Sequence, residues 1–161
     1  MRNRISMVLA AAVVLLCAPA VLAQLPNPYG SSITLDSARK AAAPAIAEAQ
    51  KNNWRMAVAV VDISGDLVYF EKMDGTQAAS VNIAVDKARS SARFKRPTKA
   101  LQDALAAGGA GLRMLALEGA VPVDGGVPLV VGGKIVGAIG MSGGTSAQDG
   151  QAAAAGAGVL K

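Results

Sequence analysis

From Leu35 to Lys51 the apolar positions Leu35, Ala38, Ala42, Ala45, Ile46 and Ala49 recur near helical spacing, with Thr34 placed to cap the first turn. The spacing predicts a helix over 35–51, kinked where Pro44 removes one backbone hydrogen bond. Met56 to Val61 is a continuous apolar run rich in β-branched residues, which reads as a buried strand. Asp62-Ile63-Ser64-Gly65-Asp66 then turns the chain, and Leu67 to Met73 returns as the second strand of a hairpin.

Helical spacing resumes over 78–93, where Val81, Val85, Ala88 and Ala92 share one face and Lys87, Arg89 and Arg93 fall away from it. Pro97 stops that pattern, and Thr98 is placed to cap a third helix to about Ala106. Gly108, Gly109 and Gly111 break the chain before a short helical turn around Leu112 to Leu117. Val121 to Val123 reads as an edge strand leading into a closing hairpin, Val127–Val131 and Ile135–Met141, joined at Gly132-Gly133. Gly143 and Gly144 end the last strand, and Ser146-Ala147-Gln148-Asp149 offers a hydroxyl cap followed by an acid. A helix N-terminus beside a glycine-rich loop is a common place to hold an anion. The order α-β-β-α-α-β-β-β-α contains hairpins rather than βαβ units, which points to an α+β fold: an antiparallel sheet with helices packed on it.

The first 23 residues stand apart. Arg2 and Arg4 precede an apolar stretch, Ile5 to Cys17, and Val21-Leu22-Ala23 forms a small-residue cleavage signal. This reads as a secretory signal peptide, too short for a typical membrane span. The bulky Leu16 before Cys17 disfavours a lipid-modified cysteine, so soluble export to a periplasmic or extracellular space is expected, without stable membrane insertion after cleavage; a retained N-terminal anchor is the alternative. Residues 24–32, with Pro26 and Pro28, form an extended arm, and residues 33–161 a single domain. Cleavage leaves 14 basic against 11 acidic residues and lowers the net charge from +5 to +3. That mild excess suits a small anionic ligand. With few, scattered aromatics it gives no footprint for nucleic acid.

The chain has no histidine, and its one cysteine lies in the leader, so Ser-His-Asp and Cys-His catalysis and a His/Cys zinc site are excluded. Gly133-Lys134 is followed by Ile135, and Pro128 stands where a P-loop needs its upstream glycine. The glycines therefore read as turn and packing residues.

The segment from Ala57 to Val68, then Lys72-Met73-Asp74-Gly75, Lys87-Ala88, Gly125-Gly126-Val127-Pro128 and Val136 to Gly143 follow one another in a series. In that order and spacing they resemble the GlcG/HbpS family of haem-binding or haem-degrading proteins, over roughly 33–156. The resemblance implies a profilin-like three-layer α/β/α fold around a five-stranded antiparallel sheet. It also implies assembly into homo-oligomers, and haem or a related tetrapyrrole as cofactor.

A haem iron takes His, Cys, Met or Tyr, and the mature chain offers only Met56, Met73, Met114, Met141, Tyr29 and Tyr69. Met56 and Met141 lie in apolar strands and read as core. Met73, at a strand end, is open to both packing and ligation. The cluster Lys87, Arg89, Arg93, Lys95, Arg96 and Lys99 suits the propionates, or is a solvated helix face. Ser90 stands where the family often carries threonine; Asp74 binds a cation or orders its turn. The expected cofactor-binding set is therefore Met73, Asp74, Lys87, Ser90 and Arg93, with no catalytic residue assigned and the metal ligand left open. The leading expectation is an exported, non-catalytic haem-binding protein. The alternatives are an enzyme or accessory in oxidation of a small hydroxy acid such as glycolate, using Asp74 or Lys87, and an oligomeric scaffold for an exported redox partner.

Overall fold

The computed structural model describes residues 26–160; the expected leader, 1–23, lies outside the described residues. The elements are α1 (Leu35–Lys51), β1 (Ala57–Asp62), β2 (Leu67–Lys72), α2 (Ser80–Phe94), α3 (Thr98–Ala106), a 3-10 helix (Gly109–Ala116), β3 (Gly126–Val131), β4 (Lys134–Ser142) and α4 (Ser146–Ala157). The sheet is wholly antiparallel in the order β2-β1-β4-β3. It has four strands among the described residues, not the five expected. The missing one is 121–123. Pro122 has no N–H for a ladder, Val123 N donates to Val121 O at 2.8 Å, and Val121 N donates to the Ser90 hydroxyl, so the segment curls onto α2.

Alternation along β1 divides the interior in two. Val58 and Val60 face one side with Leu129, Ile139 and Met141, under Ala38, Ala41, Ala42, Ala45 and Ile46 of α1 and Ala152 and Ala153 of α4. Ala57, Ala59 and Val61 face the other with Ala138, against Ala84, Ala88 and Ala92 of α2. A buried Val, Ile, Leu or Met contributes about 1.5–3 kcal/mol, so the α1/α4 face supplies most of the hydrophobic stabilisation. The α2 face contributes close approach instead. A Cβ on Gly140 would stand 2.1 Å from the Ala84 carbonyl oxygen and 2.7 Å from the Ala88 nitrogen.

Local signals set several ends. Thr34 caps α1, which runs through Pro44 without interruption. Asp62 Oδ1 accepts from the Ser64 and Asp66 amides and shapes the β1–β2 turn. One expected cap moves. Pro97 is the N-cap of α3, and Thr98, one residue inside, turns its hydroxyl to accept from Gly126 N at 2.9 Å. Of the adjacent hydroxyls Thr145 and Ser146, Thr145 caps α4, with Gln148 closing the capping box.

The arm is ordered by β4. Beyond the end of β1, Ile135 N donates to Pro28 O, Gly30 N to Ile135 O and Ile33 N to Val136 O, at 2.7–2.8 Å, with a parallel bridge between Tyr29 and Ile135.

Gly140→Ala is expected to destabilise the fold by about 1–3 kcal/mol through overpacking. Urea unfolding measures this, and an unchanged midpoint would show that α2 can lift from the sheet without cost.

Candidate functional site

Lys87 was expected on the polar side of α2, but it is buried, with 1% of its surface exposed. The sheet-facing surface of α2 is wider than the valine stripe and includes Ser80, Ala84, Lys87, Ala88 and Ser91. Lys87 Nζ donates to Asp149 Oδ2 at 2.6 Å and to Met141 O at 3.2 Å. Asp149 is itself 3% exposed and takes a further bond from Gly144 N to Oδ1. Burial pushes the Asp149 carboxyl above its ordinary value, while Lys87 and the Gly144 and Gly143 amides pull it back.

Glycines shape the space around this pair. A Cβ on Gly125 would lie 2.8 Å from Lys87 Nζ, and one on Gly126 would lie 2.3 Å from Lys87 O. The ion pair thus ties α2 to the start of α4 beside the Gly125–Gly126 and Gly143–Gly144 backbones. Every buried side-chain nitrogen and oxygen among the described residues has a partner, so the interior presents no polar group awaiting a ligand.

The expected cofactor-binding set is divided by the fold. Lys87 is internally paired, and the Ser90 hydroxyl, one turn along α2, accepts from Val121 N. Arg93 is exposed, and its Nε donates to Ser64 O, while Arg89 Nε donates to Gly65 O; the two guanidinium groups tie α2 to the β1–β2 turn. Met73 packs partly buried against the α1/α4 core. Asp74 is exposed in the turn where the Thr76 hydroxyl donates to Met73 O. Of the remaining cluster, Lys99 pairs with Asp103 on α3 and Lys95 lies 4.1 Å over the Tyr29 ring. Arg96 Nε donates to Phe94 O. The six cations do not form one surface.

Two open depressions have ligand-sized volumes, which run from about 300 to 1,000 Å³. One, of about 440 Å³, is lined by Pro26, Asn27, Lys95, Pro97, Val127, Pro128, Val130 and Ile135. The other, of about 480 Å³, lies between α3 and the 3-10 helix and is lined by Ala104, Ala107, Gly108, Ala110, Gly111, Arg113 and Met114. Neither is lined by Met73, Asp74, Lys87, Ser90 or Arg93.

The iron donors sort by position. Met56 and Met141 have no exposed surface. The Tyr29 hydroxyl donates to Ala92 O at 2.9 Å, and burial raises its pKa above the ordinary phenol value. The Tyr69 hydroxyl donates to Glu71 at 2.6 Å, and that bond raises its pKa. Both hydroxyls are thereby engaged in hydrogen bonds within the fold. The described residues contain no group of three or more His, Cys, Asp or Glu placed to hold a bare metal ion. The donor set fits haem through a thioether, not through imidazole.

A family model for the haem-degrading protein HbpS-like family matches residues 33–158. The chain belongs to that family. It is 42% identical over 95 residues to protein GlcG of Escherichia coli strain K12, covering 59% of this chain and 69% of that one. The crystal structure of a double mutant of Streptomyces reticuli HbpS superposes with a TM-score of 0.75 at 31% identity, covering 94% of this chain and 99% of that chain. At 23% identity, a PduOC–haem complex shares the fold with a TM-score of 0.72, over 81% of this chain and 96% of that one.

The Lys87–Asp149 pair has no signature in the sequence, because the partners are 62 positions apart and no local pattern links them.

Lys87→Ala strands the buried carboxylate and is expected to cost about 3–5 kcal/mol, whereas the paired replacement Lys87→Met with Asp149→Leu should recover most of it. Chemical denaturation of the two variants decides; equal losses in both would mean that the charges themselves are needed.

Proposed function

We propose that this protein binds haem or a related tetrapyrrole after export, without transforming it. The observation that carries this is the open, largely apolar cavity beside a thioether and a guanidinium, in a chain of a haem-degrading family. A flat apolar macrocycle with two carboxylates and an iron matches such a surface by burial, charge and donor type. Soluble export rests on the leader pattern of residues 1–23.

The hydroxy-acid alternative is less well supported. Its two acid–base candidates are Asp74, exposed on a turn, and Lys87, sealed inside the fold and held by Asp149. A solvent-inaccessible ammonium cannot meet a substrate without opening the domain.

We also propose self-assembly through the 3-10 helix. In a 3-10 helix residues three apart eclipse, so Leu112 and Leu115, 56% and 70% exposed, present one apolar face. A homo-oligomer covers that face with a second copy; an exported redox partner is the competing occupant.

Titration of the mature protein with haemin is expected to give a saturable Soret shift at micromolar protein. No saturable shift would remove the haem reading and leave the scaffold reading, which a pull-down free of haem would support. Leu115→Glu is expected to lower the native mass to that of the monomer, and a variant of unchanged mass would place the interface elsewhere.

A further inference from the structure

We infer that the cavity between α3 and the 3-10 helix is the haem seat, with the Met114 sulfur as the axial donor to iron and Arg113 as the partner of a propionate. This inference rests on the haem reading above and locates it on residues.

Elimination of the other donors comes first. Met56 and Met141 are wholly buried, the Tyr29 and Tyr69 hydroxyls are engaged, and Met73 is packed on the α1/α4 core. Met114 alone among these side chains lines one of the described cavities.

The local backbone explains its placement. Gly111 lies so close to α3 that a Cβ there would run into the Ala104 carbonyl oxygen, so the 3-10 helix is seated on α3 at this point. With three residues per turn, Met114 stands one turn beyond Gly111 on the same side, over the same stretch of α3. Leu112 and Leu115 occupy a different side, which separates this cavity from the proposed assembly face.

The walls and the cation complete the match. Ala104, Ala107, Ala110 and the two glycines project little, which lets a planar ring approach the backbone over a broad contact. Arg113 Nε donates to Ala110 O, which orients the guanidinium at the cavity rim. Among the described residues Arg113 has no ion pair, so its terminal nitrogens are available for a carboxylate. The sheet-side cavity has Lys95 as its cation but no sulfur or phenol in its lining, so it provides charge without a ligand for iron.

The test uses the mature chain with haemin and with the haem dimethyl ester, whose propionates are blocked. Wild type is expected to show the long-wavelength charge-transfer band of a thioether on ferric iron. Met114→Leu, of similar volume, should abolish that band and weaken binding about tenfold or more. Met73→Leu should change neither. Arg113→Gln should weaken haemin about tenfold while leaving the ester unaffected, since one charge-assisted hydrogen bond is worth about 1.5–3 kcal/mol. Met114→His should convert the spectrum to that of imidazole ligation, a gain that misfolding cannot mimic. If wild type takes up no haemin, the haem reading fails and this site with it. If wild type binds and the spectra of Met114→Leu and Met114→His match it, the haem reading stands and this assignment is overturned.

Discussion

Backbone approach between α2 and the sheet is the constraint from which the rest of the molecule follows. Gly140 and Gly126 stand so near the carbonyl oxygens of Ala84 and Lys87 that a single methyl group at either position would collide. Small residues dominate that layer, as Ala57, Ala59, Ala138, Ala84, Ala88 and Ala92 show, with Val61 the largest buried apolar side chain in it. Small side chains bury little area each, so the layer is held by proximity and by polar ties rather than by bulk. Those ties are the Lys87–Asp149 pair, the Thr98–Gly126 bond and the Arg89 and Arg93 bonds to the β1–β2 turn.

The buried ion pair is a consequence of that proximity. A lysine pressed against the sheet must find a counter-charge, because desolvating an unpaired ammonium is far costlier than pairing it. Asp149 supplies it from the first turns of α4, with the Gly144 amide sharing the load. One contact thereby joins a helix of the α2 layer to a helix of the α1/α4 layer. It also removes from the surface the residue that charge patterning would have assigned to a ligand. The accessible chemistry is left to the segment that this compact layering does not cover, the 3-10 helix and its glycine-bracketed flanks.

Much of the fold was legible. The 35–51 helix has the predicted limits, and both hairpins occur where apolar runs meet a turn signal, because period and turn chemistry are local properties. The 121–123 segment failed as a strand for a reason also in the sequence, a proline without a donor, whose effect depended on Ser90 being near enough to take the Val121 amide. The candidate site was less legible. Lys87, Arg89 and Arg93 form a basic run in one dimension, yet the fold sends the first inside and uses the other two to hold a turn.

By itself the sequence determined the four helices and the two hairpins, the family, and the absence of histidine that restricts any haem to sulfur or phenol ligands. Those depend on residue identity and near-neighbour spacing. Only the tertiary structure decided which cation was buried, which methionine faced a cavity and which phenols were already engaged. Each of those is a contact between residues distant along the chain, set by how closely α2 and α3 approach their neighbours, and close approach has no signature in a linear pattern.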